Sequence, residues 1–103
     1  MINIKKANLV QMGYPNLEVW LKNPDHTYIG RTVRYVPGAV QSKWANPFTV
    51  QKYGREECLN RYRTYAMQKF SKSELDQLRG KVLGCWCKPD ECHGDILVSL
   101  LNH

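Results

Sequence analysis

Between residues 83 and 96 the chain reads LGCWCKPDECHGDI, which gathers Cys85, Cys87, Cys92, His93 and Asp95 into one short stretch. Several chemistries fit such a set. Cys85, Cys87, Cys92 and His93 are four ligand types suited to tetrahedral zinc, although a C-x-C pair with an adjacent Cys-His departs from the usual knuckle spacing and would draw in Cys58 as a substitute. A catalytic reading makes Cys92 a nucleophile activated by a neighbouring base and His93 an acid or base oriented by Asp95. A structural reading makes the cysteines small buried hydrophobes, Asp95 the cap of a helical turn and His93 the partner of a backbone group. Spacing alone leaves all three open.

A second constellation joins Tyr28-Ile29-Gly30-Arg31 to Ser42-Lys43-Trp44-Ala45-Asn46-Pro47-Phe48. Gly30 tolerates a close approach that a Cβ would block, and the Arg31 guanidinium forks onto phosphate or carboxylate. The Asn46 amide either fixes a turn or reads a base or sugar. The equally weighted alternative pairs Arg31 with a helix acid such as Glu57 and uses Trp44 and Phe48 as loop anchors.

These residues need elements to position them. Lys81 to Cys87 has the length and apolar content of a buried strand, with Leu83, Cys85 and Cys87 on one face, Trp86 on the other, and Pro89 ending it. A helix follows over Asp95 to Leu101. The junction is thus a strand C-terminus meeting a helix N-terminus, where open α/β sheets bind ligands. Unpaired first-turn amides beside Gly94 suit an anion, and the same positive end predicts a partly ionised Cys92 and a neutral His93.

Arg55 to Phe70 is the clearest helix, with Cys58, Leu59, Tyr62, Tyr65, Ala66 and Phe70 near one broad face. Ser71 and Glu74 stand at capping-box spacing ahead of a second short helix that Gly80 closes. Earlier in the chain, Ile2 to Val10 and Leu17 to Leu21 read as extended pieces, Thr32 to Val36 is β-rich, and Ala39 to Phe48 is an ordered loop because Pro47 disfavours helix at Asn46. The order predicts an α/β fold: a small single domain over residues 1–103, with a short sheet, a helical crossover and a C-terminal helix packed on it. If the strands are parallel, the crossover is right-handed.

With 103 residues there is room for one modest core, and no run approaches the roughly 20 apolar residues that span a bilayer. Four cysteines without an export signal point to free thiols or ligands in a soluble cytoplasmic protein. The net charge of +6 is unevenly spread. No acid occurs between Asp25 and Glu56, while Arg31, Arg34, Lys43, Lys52 and Arg55 alternate with Tyr28, Tyr35, Trp44, Phe48 and Tyr53. Such an interval suits phosphates and stacked bases, or else is a solvated face over buried aromatics.

The blocks Y-I-G-R, S-K-W-x-N-P-F and C-W-C-K-P-x-x-C-H-G-D, with a Tyr-bearing helix between the last two, resemble a family of small domains of unknown function in bacteria, phages and other viruses. The resemblance covers about residues 26–101. It marks Gly30, Arg31, Asn46, Pro47, Phe48, Tyr62, Cys85, Cys87, Cys92, His93, Gly94 and Asp95 as motif positions and implies a shared site without naming its reaction. Two departures stand out: Thr32 to Gln41 intervenes between the first two blocks, and Ala45 replaces a usual Gly. The leading expectation is a pocket for an anionic small molecule, a nucleotide or a nucleic-acid component, with no membrane partner. In it Gly30, Arg31, Asn46, Tyr62, Cys87 and Gly94 bind, and Cys92, His93 and Asp95 supply any catalysis. The alternatives are a zinc-stabilised nucleic-acid-binding or adaptor module, and a host-interaction protein using its basic aromatic face.

Overall fold

The computed structural model describes residues 1–87 and 90–102. Three parallel strands lie in the order β1 (Ile2–Asn3), β3 (Val82–Cys85), β2 (His26–Tyr28). Ile2 and Asn3 pair with Gly84 and Cys85, while His26, Thr27 and Tyr28 pair with Val82, Leu83 and Gly84. The central strand is the apolar one, as a strand covered on both faces requires.

Period-two alternation along β3 divides the interior into two cores. Leu83 and Cys85 join Ile29, Tyr62, Ala66, Phe70, Cys92 and Leu97, so this face is covered by α4 (Arg55–Lys69) and α6 (His93–Leu101). Val82 and Trp86 join Ile4, Leu9, Leu17, Trp20 and Tyr28, covered by α1 (Lys6–Gln11) and α2 (Leu17–Trp20). Gly84 makes the second face possible: a Cβ there would fall 2.7 Å from Ile4 Cγ2 and 2.8 Å from the Trp20 ring. The result is a small three-layer α/β domain, with α3 (Val50–Tyr53), α4 and α5 (Lys72–Asp76) carrying the crossover from β2 to β3. Among the described residues no helix is long and apolar enough to cross a membrane.

Two of the three crossover helices, α4 and α5, form where their sequence signals lie. Ser71 Oγ accepts from the Glu74 amide while Glu74 reaches back to the Ser71 amide, a complete capping box. The N-terminal quarter differs from the expected strands. Asn3 Oδ1 accepts from Lys5 N at 2.9 Å and turns the chain out of β1 after two residues, and α1 follows. Asn16 Oδ1 caps Val19 N at 2.9 Å, so Leu17 and Trp20, spaced three apart, share the buried face of a single helical turn rather than alternating along a strand. Thr32 to Val36 forms no strand, because its polar groups close a loop on itself, as described below. The C-terminal helix starts at His93, two residues earlier than expected. The strand-ending role assigned to Pro89 falls outside the described residues.

Candidate functional site

The C-terminal ends of β2 and β3, the Asn46-Pro47-Phe48 loop and the start of α6 surround a cavity of about 400 Å³. Its wall includes Arg31, Arg55, His93 and all four cysteines, none of which is in a disulfide.

One arm of the site is built by Arg31 and the loop. Arg31 donates from Nε to the Asn46 carbonyl at 2.8 Å and from Nη2 to the Phe48 carbonyl at 2.6 Å. The ten residues between the two motif blocks therefore do not separate Arg31 from Asn46. They form a closed excursion instead: Ser42 N donates to the Gly30 carbonyl at 3.0 Å, Thr32 N to Gln41 Oε1 at 3.1 Å, and Gln41 N to Thr32 Oγ1 at 2.9 Å. At its tip Tyr35 has φ of 66° and is 89% exposed, with the Arg34 guanidinium over its ring. The alternative partner for Arg31, Glu57, is engaged by Arg61 at 2.9 Å. Gly30 serves packing, since a Cβ would meet the Tyr28 hydroxyl at 2.5 Å. That hydroxyl accepts from Trp86 Nε1 at 2.8 Å and donates to the Arg31 carbonyl, which ties the arm to the end of β3.

Asn46 and Tyr62, expected to bind ligand, both hold the fold here, Asn46 from the cavity wall and Tyr62 from behind it. The buried Asn46 accepts from Phe48 N at 2.9 Å, which spans Pro47, and donates to Cys58 Sγ at 3.2 Å. Its amide fixes the turn through one accepted and one donated bond. Tyr62 is fully buried, lies outside the cavity wall, and donates to the Trp44 carbonyl at 2.7 Å. Burial pushes its phenol well above the usual range.

The other arm is the β3–α6 junction. Cys92 is the N-cap of α6: its Sγ accepts from Gly94 N at 3.3 Å and its amide donates to Asp95 Oδ2 at 3.0 Å. Asp95 thus closes a capping box on Cys92, and both His93 ring nitrogens face other atoms. His93 Nε2 donates to the Ile29 carbonyl at 2.6 Å, which leaves Nδ1 as the unprotonated nitrogen, 3.8 Å from Cys92 Sγ. Burial, aided by the Arg31 charge, pushes the imidazole below its ordinary value against the Ile29 bond and Asp95, so it is neutral at pH 7. Gly94 offers no approach to an anion; a Cβ there would collide with Met1 Sδ and fall 2.7 Å from Ile29 Cδ1.

The thiols reverse the expected assignment. Cys87 is lowered to about 6, first by the hydrogen bond from Cys92 and then by Arg55, against its partial burial and Asp90. Cys92 is pushed far up because its thiol bonds to Cys85 and Cys87 and is buried, which outweighs the Gly94 amide. Cys92 therefore keeps its proton as a donor, and Cys87 is the thiolate at neutral pH. The four-ligand zinc set of Cys85, Cys87, Cys92 and His93 is not assembled: among the described residues no group of three or more His, Cys, Asp or Glu side chains is arranged to hold a metal. Its donors are turned to one another and to the Ile29 carbonyl. Arg55, which the sequence placed only in the basic interval, opens α4 and reaches across the cavity. Its Nη1 donates to the Glu91 carbonyl at 2.6 Å, and its Nη2 lies 3.9 Å from Asp90. No local spacing signals that contact, because 32 residues separate Arg55 from Cys87.

The model of a family described as Domain of unknown function (DUF4326) matches residues 16–103. An uncharacterized protein of Acanthamoeba polyphaga mimivirus is 35% identical over 68 residues, covering 57% of this chain and 52% of the relative. The uncharacterized 12.4 kDa protein in the nrdA-td intergenic region of Enterobacteria phage T4 is 53% identical over 32 residues, covering 31% of this chain and 30% of that protein. The matched segment thus spans about half the length of the first and less than a third of the second. No solved structure matches the chain.

Proposed function

Because the chain belongs to the family of domains of unknown function DUF4326, we propose its activity from the site itself: the cavity binds a phosphate-bearing ligand, a nucleotide or nucleic-acid component, and its thiols and imidazole act on it. The observation that carries this reading is Arg31. Two of its donors rest on neutral backbone carbonyls, and among the described residues no carboxylate pairs with it, so its charge faces the cavity uncompensated. Arg55 adds a second guanidinium on the same wall. Phe48, Val50, Leu59 and Trp86 supply an apolar surface for a ring, and the volume lies within the roughly 300–1,000 Å³ of small-molecule sites. Acid–base work falls to His93, whose unprotonated Nδ1 faces the Cys92 thiol.

Thermal unfolding with adenosine monophosphate, adenosine and inorganic phosphate tests the reading. Ligand at about a hundredfold excess over Kd stabilises by about 2.7 kcal/mol. We expect a shift with the nucleotide, a smaller one with phosphate, none with adenosine, and loss of the shift in Arg31→Gln. Equal shifts with nucleotide and nucleoside would sink the phosphate assignment. A short single-stranded oligonucleotide that binds in a salt-dependent way where the mononucleotide does not would move the ligand to nucleic acid. About one tightly held zinc per purified chain would favour the metal-stabilised module instead.

A further inference from the structure

We propose that Cys87 is the nucleophilic thiol of this domain, a covalent-modification site for small anionic electrophiles that reach it through the cavity. The choice of electrophile rests on the cavity reading above; the choice of cysteine does not. Four cysteines line the wall, and three are inert by position: Cys58, Cys85 and Cys92 are 2%, 1% and 2% exposed. Cys87 alone is partly open. It also has two donors from different elements, the Cys92 thiol at the cap of α6 and the Arg55 guanidinium at the start of α4. Each stabilises a sulfur anion, and the depressed thiol of Cys87 follows from them.

Cys92 cannot take the role, because it is buried and spends its proton on its neighbours. Arg31 and Arg55 face the approaching molecule and favour one that carries negative charge. In the reaction, the Cys87 sulfur gives an electron pair to the electrophilic carbon, a carbon–sulfur bond forms, and the carbon–leaving-group bond breaks with its pair. No oxidant or reductant takes part.

Iodoacetate and iodoacetamide are the probes, with iodide as leaving group and mass mapping as readout. We expect Cys87 to be labelled first, with a rate that rises through about pH 6 and levels off by pH 8. The iodoacetate-to-iodoacetamide rate ratio should exceed that of the unfolded chain by about tenfold. Cys92→Ala should move the midpoint up towards the roughly 8.5 of a free thiol. Cys92→Ser keeps a hydroxyl donor and should move it less, which guards against a variant that fails to fold. Arg55→Gln should cut the iodoacetate preference more than the iodoacetamide rate. First labelling at another cysteine, a midpoint near that of a free thiol in the native protein, or a ratio equal to that of the unfolded chain overturns the proposal. Selective labelling of Cys87 without protection by adenosine monophosphate upholds the thiol assignment and removes the nucleotide.

Discussion

The two arms of the cavity use similar residues to opposite ends. In the loop arm the amide of Asn46, the thiol of Cys58 and the phenol of Tyr62 each bind a backbone group or one another, and their protons are fixed in place. In the junction arm Cys87, Cys92 and His93 face one another, and their protons are shared among groups that titrate. A polar residue bonded to main chain holds shape, whereas one bonded to another ionisable group holds charge that can move. Removing the first kind should cost stability, and removing the second should cost reactivity.

The largest effect that tests this contrast is Asn46→Ala. It strands the Phe48 amide and removes the Cys58 partner in a buried turn, so we expect a loss of about 3 kcal/mol by urea unfolding. A loss below about 1 kcal/mol would place Asn46 in the chemical class after all. Next is Tyr62→Phe, which deletes one buried bond to the Trp44 carbonyl and should cost about 1–2 kcal/mol with no change in thiol labelling.

The pH profile sharpens the same contrast from the junction side. Cys87 is depressed in the folded state, so the stability its thiolate contributes is fully present above the unfolded thiol value and is lost as pH falls through about 6. His93 is depressed as well, so protonating it opposes folding, and stability falls further as pH drops below its unfolded value near 6.5. Both groups act in one direction: the urea midpoint should decline on acidification from pH 8 to 5. Cys87→Ser should flatten the upper part of that decline. The smallest expected effect is that same substitution's stability change at pH 6, within about 0.5 kcal/mol, although it abolishes the fast alkylation.

Where a long period or a two-sided cap existed, the chain declared its fold in advance. The buried stripe from Cys58 to Phe70, the Ser71–Glu74 box and the apolar run of β3 all rest on contacts within a few residues. The N-terminal elements depart from the expected strands because one helical turn and a two-residue strand carry too few positions to separate the two periods; Leu17, Val19 and Leu21 alternate as a strand would, while Leu17 and Trp20 share a helical face once Asn16 caps the turn. At the site, residue types were legible and roles were not. Asn46 stood undecided between turn and ligand until Phe48 N and Cys58 Sγ occupied it. Cys92 was the expected thiolate because a helix start lowers a thiol, but Cys85 and Cys87 beside it outweigh that dipole. Ionisation depends on neighbours brought together by β3, α4 and α6, and no window of sequence contains them all.

The paired bonds between Thr32 and Gln41 close the neck of the excursion, and Val33, Val36 and the buried Ala39 seat it on the second core, so only the tip around Tyr35 projects into solvent. Such a clasp confines tolerance to the tip: the entropic cost of lengthening a loop grows only logarithmically, so residues can be added at Arg34 and Tyr35 without moving Arg31 or the turn it holds. The segment with Tyr35 at its tip is therefore a natural docking point for grafted peptides, labels or a split of the chain, and a place where lineages can diverge while the cavity stays the same.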